Sequence, residues 1–146
     1  MSGESEVLTL VIRLSGWRGD GYEWQRTIEI LAGTSLHDLH CTIQDIVGFD
    51  DDHMYTFYVG RNWRKRDTEL AEAAAPSNAS DYEGLPLSRV FPLENQCKLY
   101  YWFDFGDDWI FEIRPRAGRK VRNARAKYPR VIEKRGRNPR QYARWG

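Results

Sequence analysis

Asp50, Asp51, Asp52 and His53 stand in an unbroken run, and Asp104, Asp107 and Asp108 gather again further along the chain. If folding brought the two regions together, carboxylates beside an imidazole could hold a hard cation or transfer protons. The same residue types also build turns, where Asp and Gly supply local hydrogen bonds and positive φ. No ligand spacing here is diagnostic. Asp51, Asp52, His53, Asp104, Asp107 and Asp108 therefore form a candidate polar cluster, with turn chemistry the favoured reading. His40 falls on an apolar helical stripe and reads as a hydrogen-bonded core or boundary residue. His37 is expected to face solvent. The chain has three histidines and two cysteines, Cys41 and Cys97, in no metal motif. No metal site, cofactor or disulfide framework is expected, and both thiols read as reduced.

Catalytic motifs are missing. No serine or cysteine has an identifiable paired base, and no Walker loop or nucleophile elbow occurs. No catalytic residue is assigned. Asp104-Phe105-Gly106 spells the kinase metal-binding tripeptide, but no Gly-rich phosphate loop or H-R-D accompanies it. Arg18-Gly19-Asp20 reads as a turn.

The second chemistry is charge. From Arg114 to Gly146 there are 13 basic residues and one acid, Glu133, a formal charge of +12. Taking these from the chain's 22 basic and 21 acidic residues leaves 9 and 20 in residues 1–113, a charge of −11. Arg114, Arg116, Arg119, Lys120, Arg122, Arg125, Lys127, Arg130, Lys134, Arg135, Arg137 and Arg140 are candidate nucleic-acid contacts. Such side chains neutralise phosphates, and the interleaved Tyr128, Tyr142 and Trp145 could stack on unpaired bases. The opposing reading is a basic segment lying across the chain's own acidic body.

The elements that must position these residues are legible in part. Residues 7–14 alternate, with Leu8, Leu10, Ile12 and Leu14 on one face, which predicts a half-buried strand. After a Gly-rich turn, residues 22–30 alternate again and complete a hairpin. The period then changes to 3.6, with Leu36, Leu39, His40, Ile43, Ile46 and Val47 at helical spacing. Thr34 or Ser35 can cap this helix, and Gly48 suits its end. Residues 54–59 read as a third strand. From 60 to 85 the periodicity is lost, and a loop this long is functional or mobile. Leu87, Val90 and Phe91 suit one helical turn, and 98–105 with 109–113 form a second hairpin across Gly106. One face of residues 98–105 should be core. The other, with Trp102 and Tyr58, is expected to be covered by tail or loop or to bind something, with the chain's own tail favoured. After Ile113 no period appears. The order β-β-α-β-loop-β-β predicts one α+β domain over 1–146. It is a roll with a mixed, β-grasp-like sheet, the main helix on one face, and a basic C-terminal segment at 114–146.

Two segments carry a family signature. One runs from Ser35-Leu-His-Asp-Leu-His-Cys-Thr-Ile-Gln44 through the aspartates before His53. The other is Tyr101-Trp-Phe-Asp-Phe-Gly-Asp-Asp-Trp109. Together they resemble the plasmid pRiA4b ORF-3-like family, with its L-H-x-x-I-Q helix and its Y-D-F-G-D-x-W hairpin. Tyr128-Pro129-Arg130 extends the likeness. The resemblance implies an α+β fold and leaves the activity open, since the family is largely uncharacterised. Phe49 stands in place of the family tryptophan and Phe111 in place of the family histidine. The Arg-rich tail replaces one often acidic and Cys-bearing.

No stretch approaches the roughly 18 apolar residues of a membrane span. The polar, acidic Met1–Glu6 carries no secretory signal, so a cytoplasmic protein is expected. The expected function is binding rather than catalysis, as a nucleic-acid-associated accessory protein of a mobile element. A protein-interaction module with its tail docked on its own body is the alternative. A hydrolase at the Asp/His53 cluster ranks third.

Overall fold

A computed structural model of the chain describes residues 6–19, 22–64, 68–69 and 83–141. The first hairpin forms as expected. Strand β1 (Glu6–Ser15) leads through one helical turn, α1 (Gly16–Gly19), to β2 (Gln25–Leu31). Leu10 lies opposite Ile28 and Leu8 opposite Ile30, all on the core face. Helix α2 (Leu36–Val47) follows. Its Ser35 side chain accepts the Asp38 N–H, and Gly48 closes it at φ 77°. Its buried stripe is Leu36, Leu39, His40, Ile43, Gln44 and Val47. Strands β3 (Tyr55–Gly60) and β4 (Thr68–Glu69), the short α3 (Leu87–Val90), and the hairpin β5 (Lys98–Phe103) and β6 (Trp109–Pro115) come next. The chain then adds β7 (Lys120–Val121) and β8 (Arg130–Arg135).

The strand order is β4-β3-β5-β6-β1-β2-β8, with β7 also pairing β1. Helix α2 packs on one face, and Leu39, Ile43 and Val47 join Leu10, Ile12, Ile30, Phe57, Tyr101 and Phe111 in a single core. The α+β class holds, but the sheet is not mixed, because every strand pair is antiparallel. The reason is the second hairpin. Strands β1 and β5 run in the same direction, and β6 lies between them, antiparallel to both.

Three further expectations change. The segment after Ile113, which shows no period, continues β6 to Pro115 and forms β7 and β8. The 60–85 loop contributes β4, which pairs with β3, and Trp63 packs on the sheet. The expected mobility there falls on residues outside those described. The outer face around Tyr58, Tyr100 and Trp102 is packed by Trp63 of the 60–85 segment, the loop alternative rather than the favoured tail, with Tyr58 donating to the Trp63 carbonyl. The tail goes elsewhere because its β8 edge is used by β2.

Past β8, residues 136–141 hydrogen-bond to Trp24 and Arg26 around the start of β2, to the end of α2 and to the loop that follows it. Gly136 turns at φ 79°, and a Cβ there would lie 1.7 Å from the Glu23 carbonyl oxygen, so only glycine fits. Asn138 accepts from the Trp24 indole and from Arg26, and donates to the Ile46 carbonyl near the end of α2. Gln141 accepts the Asp50 N–H and donates to Asp52.

Candidate functional site

The polar cluster divides among separate structural tasks. The capped helix α2 puts His40 on its buried stripe, where β5 brings Tyr101 to Nδ1 at 2.5 Å. Gln44 donates to the Tyr101 oxygen, which leaves the Tyr101 proton for His40 Nδ1. The Nε2–H of His40 then points to Asp51 Oδ1 at 2.7 Å. Asp51 is itself placed by its N–H on the Gln44 side-chain oxygen. The His40 ring stacks on Tyr55 with centroids 3.7 Å apart. Burial lowers the His40 pKa, with Asp51 acting against it. Burial also raises the Tyr101 phenol well above its ordinary value. This is a satisfied internal network, as the sequence reading of His40 expected. His37 is exposed, also as expected, with Nδ1 3.0 Å from the Tyr55 hydroxyl.

The two aspartate regions do meet. The Asp104 N–H bonds the Met54 carbonyl, which brings His53 Nε2 to 3.4 Å from Asp104 and 3.6 Å from Asp52. Asp104 also caps its own turn, accepting the N–H groups of Gly106 and Asp107. Asp107 pairs with Arg18 at 3.6 Å, and Asp108 accepts the Trp102 indole N–H. Asp104 and Asp108 hold positive φ, at 60° and 55°, so turn chemistry dominates. No group of three or more His, Cys, Asp or Glu with the geometry to hold a metal occurs among the described residues. Burial, followed by Asp51 and Asp38, raises the Cys41 thiol, which disfavours its nucleophilic form.

The basic segment divides in two. Six of its cations are spent on acids. Arg114 meets Glu112, Arg116 meets Glu133, Arg119 meets Glu6, and Arg135 meets Glu23. Lys120 and Arg130 converge on the two oxygens of the buried Glu29 at 2.9 and 2.6 Å. Hydrogen bonds from Lys120 and then Arg130 hold the Glu29 pKa below its ordinary value. Arg116 does the same for Glu133. The strand pairing explains this choice of partners, since Arg130 lies opposite Glu29 and Lys120 pairs beside Glu6.

The other six, Arg122, Arg125, Lys127, Lys134, Arg137 and Arg140, have no acidic partner among the described residues. All six are exposed. Three of them, Arg122, Arg125 and Lys127, sit on the excursion between β7 and β8. That excursion is internally braced. Ala126 N–H bonds the Asn123 carbonyl, Arg125 N–H the Asn123 side chain, and Asn123 N–H the Tyr128 hydroxyl. Arg130 packs over the Tyr128 ring at 5.6 Å, which fixes the base of the excursion.

Against known proteins, the model of the plasmid pRiA4b ORF-3-like protein family matches residues 6–141. The chain belongs to this family. The pRiA4b ORF-3-like match takes in both signature segments and the whole described part of the basic segment. The chain is also similar to the crystal structure of a protein of unknown function, MM3350 from Methanosarcina mazei Go1. That likeness has a TM-score of 0.70 at 24% identity, covering 92% of this chain and 72% of the other. It shows a shared fold. No curated protein matches the chain. In this chain the family's helix motif supplies His40 and Gln44 to the buried network, and the Phe111 that replaces its histidine is core.

Sequence reading missed Glu29, Arg26 and the 136–141 segment. Glu29 lies on the polar side of an alternating strand and looks like any solvated residue. Arg26 sits at an inward phase of the same strand. It is satisfied by the carbonyls of Gln25, Arg135 and Gly136, none of which leaves a local signal.

Proposed function

We propose that this pRiA4b ORF-3-like protein acts by binding, seating nucleic-acid phosphates on the braced excursion at Arg122, Arg125 and Lys127. The observation that carries the reading is the division of the basic segment. Six cations are committed to the body, while these three stay exposed on one excursion with no acid to neutralise them. Phosphate contacts need charge and position but no base-reading helix, so the binding is expected to show little sequence preference. Bracing by Asn123 and Tyr128 lowers the ordering cost on binding. A cytoplasmic accessory protein of a mobile element is the setting this reading implies, in keeping with the family's plasmid name.

The test separates the two halves of the segment. A variant with Arg122, Arg125 and Lys127 all changed to Glu is expected to lose affinity for a mixed-sequence duplex, by fluorescence anisotropy at low salt, with an unchanged melting temperature. Changing Arg119 and Lys120 to Glu breaks two ion pairs and is expected to lower the melting temperature. Full binding by the triple variant would refute the proposal.

A further inference from the structure

A second basic feature lies at the other end of β8. Leu14, Arg18, Tyr22, Trp109, Pro139 and Arg140 line a cleft of about 350 Å³. The β7–β8 excursion precedes the six residues of β8 and this cleft follows them. At about 3.3 Å per residue the two regions lie roughly 20 Å apart, too far to be one contact. No acidic residue lines the cleft.

Its walls are of two kinds. Arg18 is already fixed, with Nε donating to the Asp107 carbonyl at 2.8 Å, a terminal nitrogen 3.6 Å from the Asp107 carboxylate just outside the cleft lining, and its guanidinium 4.2 Å above the Trp109 ring. Arg140 is exposed and has no acidic partner among the described residues. Tyr22 is held by its hydroxyl on the Arg137 carbonyl. Leu14 and Trp109 are buried and, with Pro139, give an apolar wall. Trp109 also carries a buried indole N–H that has no acceptor among the described residues.

We propose that this cleft binds a small organic anion with a flat apolar body, its oxyanion between Arg18 and Arg140 and its body against Trp109 and Pro139. The two guanidinium groups suit a carboxylate or a phosphate, both of which accept paired N–H donors. A bare inorganic ion leaves most of the space unused, since a water takes about 30 Å³ and ligand clefts begin near 300 Å³. Prior anchoring of Arg18 and Tyr22 reduces the ordering that binding requires. The site is independent of the nucleic-acid reading.

The test follows the Trp109 indole resonance in a ¹H–¹⁵N spectrum, assigned with Trp109→Phe. Phenyl phosphate and phenylacetate serve as probes of the two oxyanion types, and inorganic phosphate as the control without an apolar body. At least one probe is expected to shift the resonance saturably, with inorganic phosphate binding more weakly. Arg140→Gln is expected to weaken the probe about tenfold, the effect of losing one charge-assisted hydrogen bond. Arg140 makes no ion pair among the described residues, so this variant keeps the fold, whereas Arg18→Gln also disturbs the Asp107 turn. The proposal is overturned by no saturable shift with either probe, by equal affinity for inorganic phosphate, or by unchanged affinity in Arg140→Gln.

Discussion

Replacing Glu29 with Gln removes one charge from a buried position without changing its shape. The Glu29 carboxylate is 4% exposed and receives Lys120 on one oxygen and Arg130 on the other. A hydrogen bond to a charged group contributes about 1.5–3 kcal/mol. The two cations are 64% and 47% exposed, so water screens both and recovers part of each when the pair is broken. The glutamine oxygen can still accept from one cation, but its NH2 then faces the other and cannot accept from it. About 2 kcal/mol is the expected net loss. For a chain of this size that lowers the melting temperature by roughly 4–8 °C. The pH dependence gives a second signature. The folded-state pKa of Glu29 lies below its ordinary 4.5, so its stabilisation is complete above that value and is lost as pH falls through the lowered one. Calorimetry on both proteins should show a constant gap from pH 7 to about 5 that narrows in stronger acid. Equal melting temperatures at pH 7, or a gap that widens in acid, would refute the docking of the basic segment on Glu29.

Two other perturbations test the frame around this contact. Burial lowers the His40 pKa below its ordinary 6.5, so the neutral form belongs to the folded state. Stability should therefore fall as pH drops below 6.5 toward the lowered value, and His40→Gln should reduce that slope in urea titrations; an unchanged slope would contradict the buried network. Gly136→Ala forces a side chain into the Glu23 carbonyl at positive φ and should cost roughly 2–5 kcal/mol, read as a lower denaturation midpoint. A midpoint equal to that of the natural protein would show that the contacts of residues 136–141 do not stabilise the fold.

What the sequence disclosed was whatever local periodicity encodes. Helix α2 is legible because its apolar stripe repeats at 3.6 and Ser35 and Gly48 mark its ends. The first hairpin is legible because residues 7–14 and 22–30 alternate, and the second because two aromatic-rich apolar runs flank the Gly106-Asp107-Asp108 turn. Strand β8 is not, because it is a charged edge strand in which Val131 alone packs against the core. Its signal is complementarity with β2, far away in the chain. The candidate cluster shows the same limit. Acidic and imidazole groups can be named from sequence, but sheet order decides that Asp51 goes to His40 while Asp104 goes to His53. The basic segment is the clearest case, since composition gives its charge but only strand register separates the cations that pair from those that stay free.

The salt dependence of binding tests that separation most directly. Three phosphate contacts, from Arg122, Arg125 and Lys127, give a log–log slope of affinity against salt of about −2.7 on duplex DNA. Had all twelve cations of Arg114–Arg140 been available, the slope would approach about −11. An anisotropy titration from low to physiological salt should therefore return a slope near −3, close to zero in the triple Glu variant. A slope far steeper than this, or the absence of binding at the lowest salt, would contradict the account.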